Sequence, residues 1–429
     1  MKTYINPNRS DWPEILKRPV FDVSNLNKKV GSILAEIKQD GDKALKKYTS
    51  QFDGVILDDF KVTEKEIDAA ENVVEERLKA AIILAAKNIR KFHESQKTGI
   101  KKTETSPGVI CWQKAVPVEK VGLYIPGGTA PLFSTVLMLA IPAKIAGCKE
   151  IILCTPPGKD GKINPAILYA AKVAGIKRVF SLGGVQAIGA MAYGTESVPK
   201  MYKIFGPGNQ FVTAAKQLVS MTDVSIDMPA GPSEVLVVAD EWSNPAFVAA
   251  DLLSQAEHGA DSQVVVVTNS EEMLNKIQQE INTQLKNLSR GEFAEKALKN
   301  SVAIVLEDEV ESVELINEYA PEHLILCNKK YLEIAEKINN AGSVFLGNYT
   351  PESAGDYASG TNHTLPTNGW ARSYSGVNLD NFVKKITFQE INSEGLKNIG
   401  PAVEIMAAAE SLDAHKNAVS LRLKELEKR

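Results

Sequence analysis

Apolar positions change their spacing along the chain, from a helical start through a mixed middle to a helical end. Between residues 25 and 48, side chains such as Val30, Leu34 and Ile37 recur at helical spacing, and a second helical pattern runs from 63 to 96. The sequence therefore predicts that the N-terminal part of the chain is helical after an irregular start that contains Trp12 and Pro13.

In the middle of the chain, short β-rich runs alternate with helical ones. The expected strands are 109–116, 121–125, 151–154, 178–182, 202–205, 234–239, 263–268, 302–306 and 323–327. The expected helices are 133–146, 164–174, 209–219, 246–256, 271–285 and 312–319. This alternation predicts two α/β units with parallel sheets and crossover helices, the first unit inserted into the second.

The C-terminal pattern is different. Beyond Leu379 the strands are expected to stop, and residues 393–429 are rich in Ala, Glu, Lys and Leu. This composition predicts two helices, split near Leu412 and Asp413. A helical tail outside a finished sheet is typical of a segment that docks on another subunit.

Composition limits the class of partner. The 429 residues are 44% hydrophobic, and 49 basic side chains balance 53 acidic ones, so net charge does not favour nucleic acid or an anionic membrane. The four cysteines lack CxxC spacing, and neither a signal-like N-terminus nor an apolar run of about 18 residues is present. We expect a cytoplasmic enzyme that acts on a small molecule, with no nucleic-acid or membrane partner.

Four of the five histidines lie in the second half of the chain, the first of them in Gln255-Ala256-Glu257-His258-Gly259. Gln255 and His258 stand three residues apart at the end of an apolar helix and face the same side. An amide oxygen and an imidazole suit zinc or a similar divalent ion. A histidine near a helix C-terminus also interacts favourably with the helix dipole, so a capping role stays open.

The second candidate is Glu322-His323, which follows Pro321 and opens a predicted strand. A carboxyl and an imidazole at the edge of a sheet, where open α/β folds bind ligands, can serve as acid or base. An exposed charged dipeptide is the alternative, because such residues are common on surfaces.

The third candidate is the predicted loop 355–363, in which Asp356 is a possible anionic metal ligand and His363 can hold the loop or the substrate. Segment 410–415 is the fourth. There Asp413 can simply cap a helix, or His415 can complete a metal shell opened by the other ligands.

Glycine-rich turns follow three predicted strands, in segments 124–128, 183–186 and 206–209. Turns of this kind before a helix can present backbone N–H groups to an anion. They do not match the G-x-G-x-x-G fingerprint, because Phe211 stands where its last glycine should be. Nucleotide binding stays open on this evidence alone.

Taken in chain order, these segments resemble the histidinol dehydrogenase family over nearly the whole chain. The matching segments are 121–133, 206–209, 230–234, 255–259, 321–323, 356–366 and 414–417. The resemblance implies NAD-dependent oxidation of L-histidinol through L-histidinal to L-histidine, with two successive hydride transfers, as the last steps of histidine biosynthesis. It also implies a homodimer with shared active sites.

The resemblance implies roles for individual residues. One zinc ion per subunit, with manganese as an alternative, would be bound by Gln255, His258, Asp356 and His415. His323 would be the general base, and Glu322 would activate water for the second oxidation. Substrate would contact Ser233, His363 and Glu410 in addition to the metal ligands and His323. The NAD site would be lined by Tyr124, Gln186 and Asn209. His415 and Glu410 would come from the partner subunit.

Two other classes of function stay open. A zinc hydrolase could use the same metal shell, with Glu322 activating water. A non-catalytic scaffold would rest on the helical tail alone.

Together, pattern and resemblance predict an α/β fold with two Rossmann-like parallel-sheet domains, one inserted in the other, and helical extensions at both ends. The predicted bounds are an N-terminal extension at 1–22, a discontinuous main domain at 23–123 and 235–377, an inserted NAD-side domain at 124–234, and a C-terminal tail at 378–429 that exchanges in the dimer.

Overall fold

The computed structural model describes residues 1–19, 23–127, 131–229 and 231–428. Gly128, Ala230 and Arg429, which belong to segments named above, lie outside the described residues. The chain forms two compact units, one of Met1–Ser95 with Val118–Phe382 and one of Gln96–Pro117 with Val383–Arg429. Within the described ranges, every helix is too short or too polar to cross a membrane.

The first unit contains a six-stranded parallel sheet. Its strands, in spatial order, are β1 (Lys2–Ile5), β11 (Val302–Val305), β10 (Gln263–Thr268), β9 (Glu234–Ala239), β12 (His323–Leu326) and β13 (Ser343–Leu346). From β9 the chain adds β10 and β11 on one side and then β12 and β13 on the other. This reversal is the arrangement of a doubly wound sheet.

Helices cover both faces of this sheet, so its four central strands β9, β10, β11 and β12 are buried and rich in Val, Ile and Leu, whereas the edge strands β1 and β13 are mostly exposed. One face packs against α10 (Pro245–Ala256), α11 (Glu271–Leu285) and α12 (Gly291–Lys299). The other packs against α1 (Trp12–Ile15), α13 (Glu309–Tyr319) and α14 (Tyr331–Ala335). A short helix, α15 (Glu352–Tyr357), follows β13 and contacts α10.

A five-stranded parallel sheet lies in the same unit. Its strands, in spatial order, are β6 (Val179–Ser181), β5 (Glu150–Thr155), β4 (Lys120–Tyr124), β7 (Lys203–Phe205) and β8 (Ser225–Ile226). The connections again reverse direction, here between β4 and β7. The two sheets therefore have the same winding, apart from β1 at the edge of the larger one.

Among the described residues, eight helices pack on the faces of the five-stranded sheet. One layer contains α4 (Glu64–Val73), α5 (Glu76–Glu94), α6 (Phe133–Ala146) and α7 (Pro165–Ala174). The other contains α2 (Val23–Asp40), α3 (Asp42–Phe52), α8 (Gly184–Tyr193) and α9 (Gln210–Ser220). The N-terminal helices thus complete the layers around this sheet.

The second unit consists of an antiparallel sheet and two helices. The strands are ordered β14 (Val383–Ile391), β3 (Val109–Pro117) and β2 (Lys102–Ser106), and the helices are α16 (Ser393–Ala409) and α17 (Asp413–Glu427). Single 3-10 turns of the first unit lie at Arg9–Asp11, Trp370–Arg372 and Leu379–Phe382.

The predicted α/β class is confirmed, and several elements have the predicted bounds, among them β9, β10 and α6. The expected pair of tail helices is also present.

Other predictions are wrong. A strand, β14, follows Leu379, and the N-terminal start that was expected to be irregular contains β1. The two long N-terminal helices are each divided, one at Gly41, which has a positive φ of 52°, and one at Val74, whose backbone is extended.

Candidate active site

The first residues of two neighbouring strands bring Glu322 and His323 together with Glu234. His323 opens β12 and pairs with Val235, so Glu234 lies one residue earlier on β9. The Glu234 N–H donates to Oε2 of Glu322 at 2.9 Å, and the Glu234 carbonyl oxygen lies 3.1 Å from Nδ1 of His323. The backbone of one residue therefore binds both side chains that the sequence predicts to be catalytic.

This site lies at the amino ends of β9 and β12, whereas open α/β sheets usually bind ligands at the carboxyl ends of their strands. The sequence could place Glu322 and His323 at a strand end, but the usual rule selects the opposite edge. The site residues reach this edge because α10 runs back across the sheet and ends there, before β10 begins.

The contact with the Glu234 carbonyl determines which ring nitrogen of His323 carries the proton. A carbonyl oxygen only accepts, so Nδ1 is protonated and Nε2 keeps its lone pair. Nε2 is buried and has no hydrogen-bond partner among the described residues. Because burial disfavours the charged ring, the pKa of His323 is lowered to about 4. The site thus contains a neutral imidazole with a free basic nitrogen.

Two further carboxylates face this imidazole from α15. Glu352 and Asp356 stand one turn apart on the helix, so they share a face. Oε1 of Glu352 lies 3.8 Å from Nδ1 of His323, and Oδ1 of Asp356 lies 3.8 Å from Nε2. One ligand atom from each of the three residues lies within 4.8 Å of the others. Asp356, which the sequence places in a loop, is thus in a helix.

Glu322, Glu352 and Asp356 form an acidic cluster, in which keeping the carboxylates ionised is unfavourable. Burial raises the pKa of both Glu322 and Glu352 well above the usual range, because the ionised carboxylates lose hydration. In the part of the chain that the structure describes, no lysine or arginine forms an ion pair with Glu322, Glu352 or Asp356. A cation bound here would stabilise the ionised carboxylates, and nitrogen and oxygen donors of this kind suit zinc or manganese.

The end of α10 adds Gln255 and His258 to the same cluster. With its side-chain nitrogen toward Glu352, the buried Gln255 amide donates to that carboxylate, and its oxygen accepts the Glu234 N–H at 3.1 Å. His258 lies just beyond the helix with part of its surface exposed. Loss of hydration lowers its pKa, and the nearby charge of Asp356 opposes that shift. Three predicted metal ligands, Gln255, His258 and Asp356, therefore lie around one site.

The fourth predicted ligand and one predicted substrate contact belong to the second unit. Glu410 is the C-terminal cap of α16, and His415 lies in the first turn of α17. Both residues are exposed.

His363 and Ser233, predicted to contact substrate, border the cluster. Nδ1 of His363 lies 2.9 Å from the carbonyl oxygen of Asp356, and Nε2 lies 3.0 Å from Oγ1 of Thr135 on α6. Both ring nitrogens are therefore engaged, and the ring links the Asp356 segment to α6. Ser233 directly precedes Glu234 and is half-buried.

The predicted NAD residues lie at the carboxyl ends of the five-stranded sheet. Tyr124 ends β4, and its hydroxyl accepts the N–H of Gly184 at 3.1 Å. Gln186, in the first turn of α8, donates to Asp53 at 3.0 Å, while its buried Oε1 has no partner among the described residues. Asn209 caps the first turn of α9 with its side-chain oxygen.

At this edge the backbone packs so closely that one position requires glycine. Gly206 follows β7 with a φ of +130°, and a Cβ there would collide with the carbonyl oxygen of Tyr124. The glycine turn and the N-termini of α8 and α9 lie near the point where the connections reverse between β4 and β7. Phosphate groups bind at such positions in doubly wound sheets.

Sequence reasoning missed Glu352 and Glu234. The available signal for Glu352 is its spacing of four residues from Asp356. This spacing places both side chains on one face only if the segment is a helix, as it is in α15. Glu234 carries no local signal, because its contacts with Glu322 and His323 depend on the pairing of β9 with β12.

Comparison with known proteins finds similarity along the whole chain. A family model described as histidinol dehydrogenase matches residues 16–423. Histidinol dehydrogenase of Bacteroides thetaiotaomicron is 62% identical over 426 residues, which cover 99% of this chain and 100% of that protein. The chloroplastic histidinol dehydrogenase of Arabidopsis thaliana is 52% identical over 432 residues, covering 100% and 92%. The crystal structure of histidinol dehydrogenase from Elizabethkingia anophelis matches with a TM-score of 0.98 at 57% identity, covering 100% of this chain and 99% of that one.

Proposed function

Because the chain belongs to the histidinol dehydrogenase family, which catalyses the final steps of histidine biosynthesis, we propose that it oxidises L-histidinol through L-histidinal to L-histidine in two NAD-dependent steps. The observation that carries the mechanism is the neutral His323 imidazole, whose free Nε2 faces a cluster of buried carboxylates. Each oxidation needs a group that accepts a proton while a hydride leaves carbon.

His323 serves as the general base. In the first oxidation Nε2 takes the hydroxyl proton while the carbinol carbon loses a hydride to NAD, which converts the alcohol to the aldehyde. The Glu234 carbonyl accepts the Nδ1–H and stabilises the imidazolium that forms. The lowered pKa of His323 keeps the base unprotonated at neutral pH before substrate binds.

Glu322 serves the second oxidation, in which water adds to the aldehyde carbon. Its carboxylate takes one proton from that water as the water oxygen bonds to the aldehyde carbon. The resulting hydrate anion loses a hydride to the second NAD and its remaining hydroxyl proton to His323, which gives the carboxylate product. Burial raises the pKa of Glu322, so the ionised group is a stronger base than an exposed glutamate. A cation in the cluster favours that ionised form.

We assign zinc, with manganese as the alternative, to Gln255, His258 and Asp356 together with His415 of the partner subunit. The chemistry of the donor set supports the assignment. Of the four ligands, Asp356 also belongs to the cluster with His323 and Glu352 whose ligand atoms lie within 4.8 Å of one another. After accepting the Glu234 N–H, the Gln255 oxygen has a second lone pair for a metal. When bound, the ion would anchor the imidazole and amine of histidinol. Ser233, His363 and the partner subunit's Glu410 would complete the substrate site.

We assign NAD to the carboxyl ends of the five-stranded sheet. Tyr124 and the Gly206 turn frame the site, and the unpartnered Oε1 of Gln186 is a free acceptor for a ligand hydroxyl or amide. The side-chain oxygen of Asn209 accepts hydrogen bonds from the first turn of α9, so its side-chain nitrogen remains available to bind the nucleotide. When bound, NAD would supply the hydride acceptor.

We propose a homodimer in which the second unit contacts the partner chain. Large apolar side chains on its two helices are exposed, namely Ile405, Met406 and Leu421. Burying them in an interface would be favourable. We also propose a cytoplasmic location, which the four free cysteines support.

The division into a main domain and an inserted domain remains a proposal. The strands of the five-stranded sheet fall between β1 and β9 of the larger sheet in the chain, as an insertion requires. Because the helices of residues 23–94 pack on the five-stranded sheet, we assign them to the inserted domain.

The test is NADH formation by zinc-loaded protein supplied with L-histidinol and NAD. We expect two NADH for each histidinol consumed, with histidine as the product. Replacing His323 by Asn should reduce the rate by at least about 100-fold, the usual effect of losing a general base. Absence of NADH formation by correctly folded, zinc-loaded wild-type protein would overturn the proposal.

A further inference from the structure

We propose that Arg18 and Glu234 form a positioning pair for catalysis, in which Arg18 fixes the Glu234 side chain so that the Glu234 peptide groups hold Glu322 and His323. This inference rests on the proposed roles of Glu322 and His323. It adds two residues that touch neither substrate nor cofactor in the proposed mechanism.

The backbone of Glu234 is the direct link to the catalytic groups. Its N–H contacts Oε2 of Glu322 at 2.9 Å, and its carbonyl oxygen contacts Nδ1 of His323 at 3.1 Å. The same N–H is within reach of the Gln255 oxygen. A rotation or shift at the start of β9 would therefore move the general base and the water-activating carboxylate together.

The Glu234 side chain is bound from several directions. Nε of Arg18 lies 2.9 Å and 3.0 Å from the two carboxylate oxygens, and one terminal nitrogen lies 2.6 Å from Oε2. The backbone N–H of Asn368 also donates to this carboxylate. Only 2% of the Glu234 residue surface is exposed, so its position is set by these contacts and not by solvent.

Arg18 is itself held rigidly. The same terminal nitrogen donates to the carbonyl oxygen of Tyr319 at 2.6 Å, and the guanidinium lies 4.1 Å over the Tyr319 ring. The Tyr319 hydroxyl donates to Gln263 at 2.9 Å, and Gln263 donates to the carbonyl oxygen of Lys17, next to Arg18. These contacts form a closed network that holds Arg18 against Glu234, and lysine could reproduce the contacts of the planar guanidinium only in part.

A buried ion pair is in general weak evidence for stability, because desolvation offsets much of the attraction between the charges. An apolar pair could fill the same space, but it would not fix the orientation of the Glu234 backbone through directional hydrogen bonds. The contacts on both sides of Glu234 therefore favour a role in orientation.

The experiment measures steady-state kinetics of Arg18→Met, Arg18→Lys and Glu234→Gln in the zinc-loaded, full-length protein. We expect Arg18→Met to lower kcat by about 10- to 100-fold, as displaced catalytic groups do, with both KM values changed less than about threefold. Arg18→Lys should recover part of that loss, and Glu234→Gln should resemble Arg18→Met. Bound zinc, circular dichroism and the fraction of folded protein are measured for each variant.

The matched control is Arg9→Met. Arg9 lies in the same N-terminal segment, pairs with Glu314 at 2.8 Å and stands over the Trp12 ring, but both partners of this ion pair are exposed. We expect Arg9→Met to keep kcat within about twofold, because exposed ion pairs contribute little.

Two outcomes overturn the proposal. One is a kcat within twofold of wild type for folded Arg18→Met or, if that variant does not fold, for Glu234→Gln. The other is a loss of rate that disappears once the rate is divided by the folded fraction. Failure of the wild-type protein to form NADH is a separate result, and it would overturn the proposed function instead.

Discussion

Lys216 and Asp227 form a buried ion pair next to the glycine turn of the five-stranded sheet, with Nζ 2.5 Å from Oδ1. Both side chains also bind Gly206. Lys216 donates to its carbonyl oxygen at 2.8 Å, and Asp227 accepts its N–H at 2.8 Å. Two opposite charges thus fix one peptide residue of the proposed NAD site.

Replacing Lys216 by Met would leave Asp227 buried without its charged partner. We expect the free energy of unfolding to fall by about 3–5 kcal/mol, the usual effect of removing one member of a buried pair. The KM for NAD should rise several-fold because the Gly206 turn loses an anchor. Urea unfolding and steady-state kinetics measure the two effects.

The control for this prediction is Lys38→Met, which removes a pair with Asp223 in which the lysine side chain is 60% exposed. It should cost less than about 1 kcal/mol and leave the KM for NAD unchanged. A folded Lys216→Met protein with the wild-type KM would contradict the assignment of NAD to this turn.

Glu352 provides a second prediction, because it contacts the proposed ligand Gln255 and lies on the same helix face as Asp356. Glu352→Gln keeps the shape of the side chain but removes its charge. We expect the dissociation constant for zinc to rise by about 10- to 100-fold, as for other residues that support metal ligands. Competition with a chelator measures it. Equal zinc affinity in wild type and variant would show that Glu352 does not support the metal site.

The strands of the core could be predicted because their local sequence carries the signal. Apart from their first and last residues, β9 and β10 are continuous runs of Val and Leu, as expected for strands covered on both faces, and their bounds were predicted correctly. β14 was missed because Lys384 and Lys385 interrupt its apolar residues, and most of the strand is exposed. Its pairing with β3 is what makes it a strand.

Some residues of the site can likewise be recognised from local sequence, and others cannot. Glu322-His323 and the Gln255/His258 spacing are visible in the sequence, because each is a local pattern of chemically competent residues. Arg18 is not visible, since its partner Glu234 lies 216 residues away and the network forms only after the sheet closes. Local patterns identify groups that can react, whereas the contacts that orient them depend on the fold.

Asp251 on α10 gives a prediction for the pH dependence of stability. It is buried, and burial raises its pKa to about 7. The folded chain therefore holds this proton more tightly than the unfolded chain, in which aspartate titrates near pH ~4. The free energy of unfolding therefore falls as pH rises from about 4 to about 7, and it stays lower above that range.

We therefore expect Asp251→Asn to raise the free energy of unfolding by about 2–4 kcal/mol at pH 8 and to have a much smaller effect near pH 4. Denaturant unfolding at the two pH values measures the difference. Asp58→Asn, at an exposed aspartate, is the control and should have little effect at either pH. A gain that is equal at both pH values would mean that the carboxylate charge is not the cause.

The shared active site is tested by mixing two inactive variants, His323→Ala and His415→Ala. If His415 of the partner subunit completes the metal site, a mixed dimer contains one site with both defects and one with neither. Random exchange makes half of the dimers mixed, so activity should recover to about a quarter of the wild-type level. NADH formation is followed after subunit exchange, which is confirmed by mass spectrometry of differently labelled chains.

Mixing His323→Ala with His258→Ala is the control. In the proposed site both of these residues come from the same subunit, so every site in that mixture keeps one defect. If exchange occurs without recovery in the first mixture, His415 acts within its own chain, and the apolar side chains on α16 and α17 serve dimerisation without completing the partner's site.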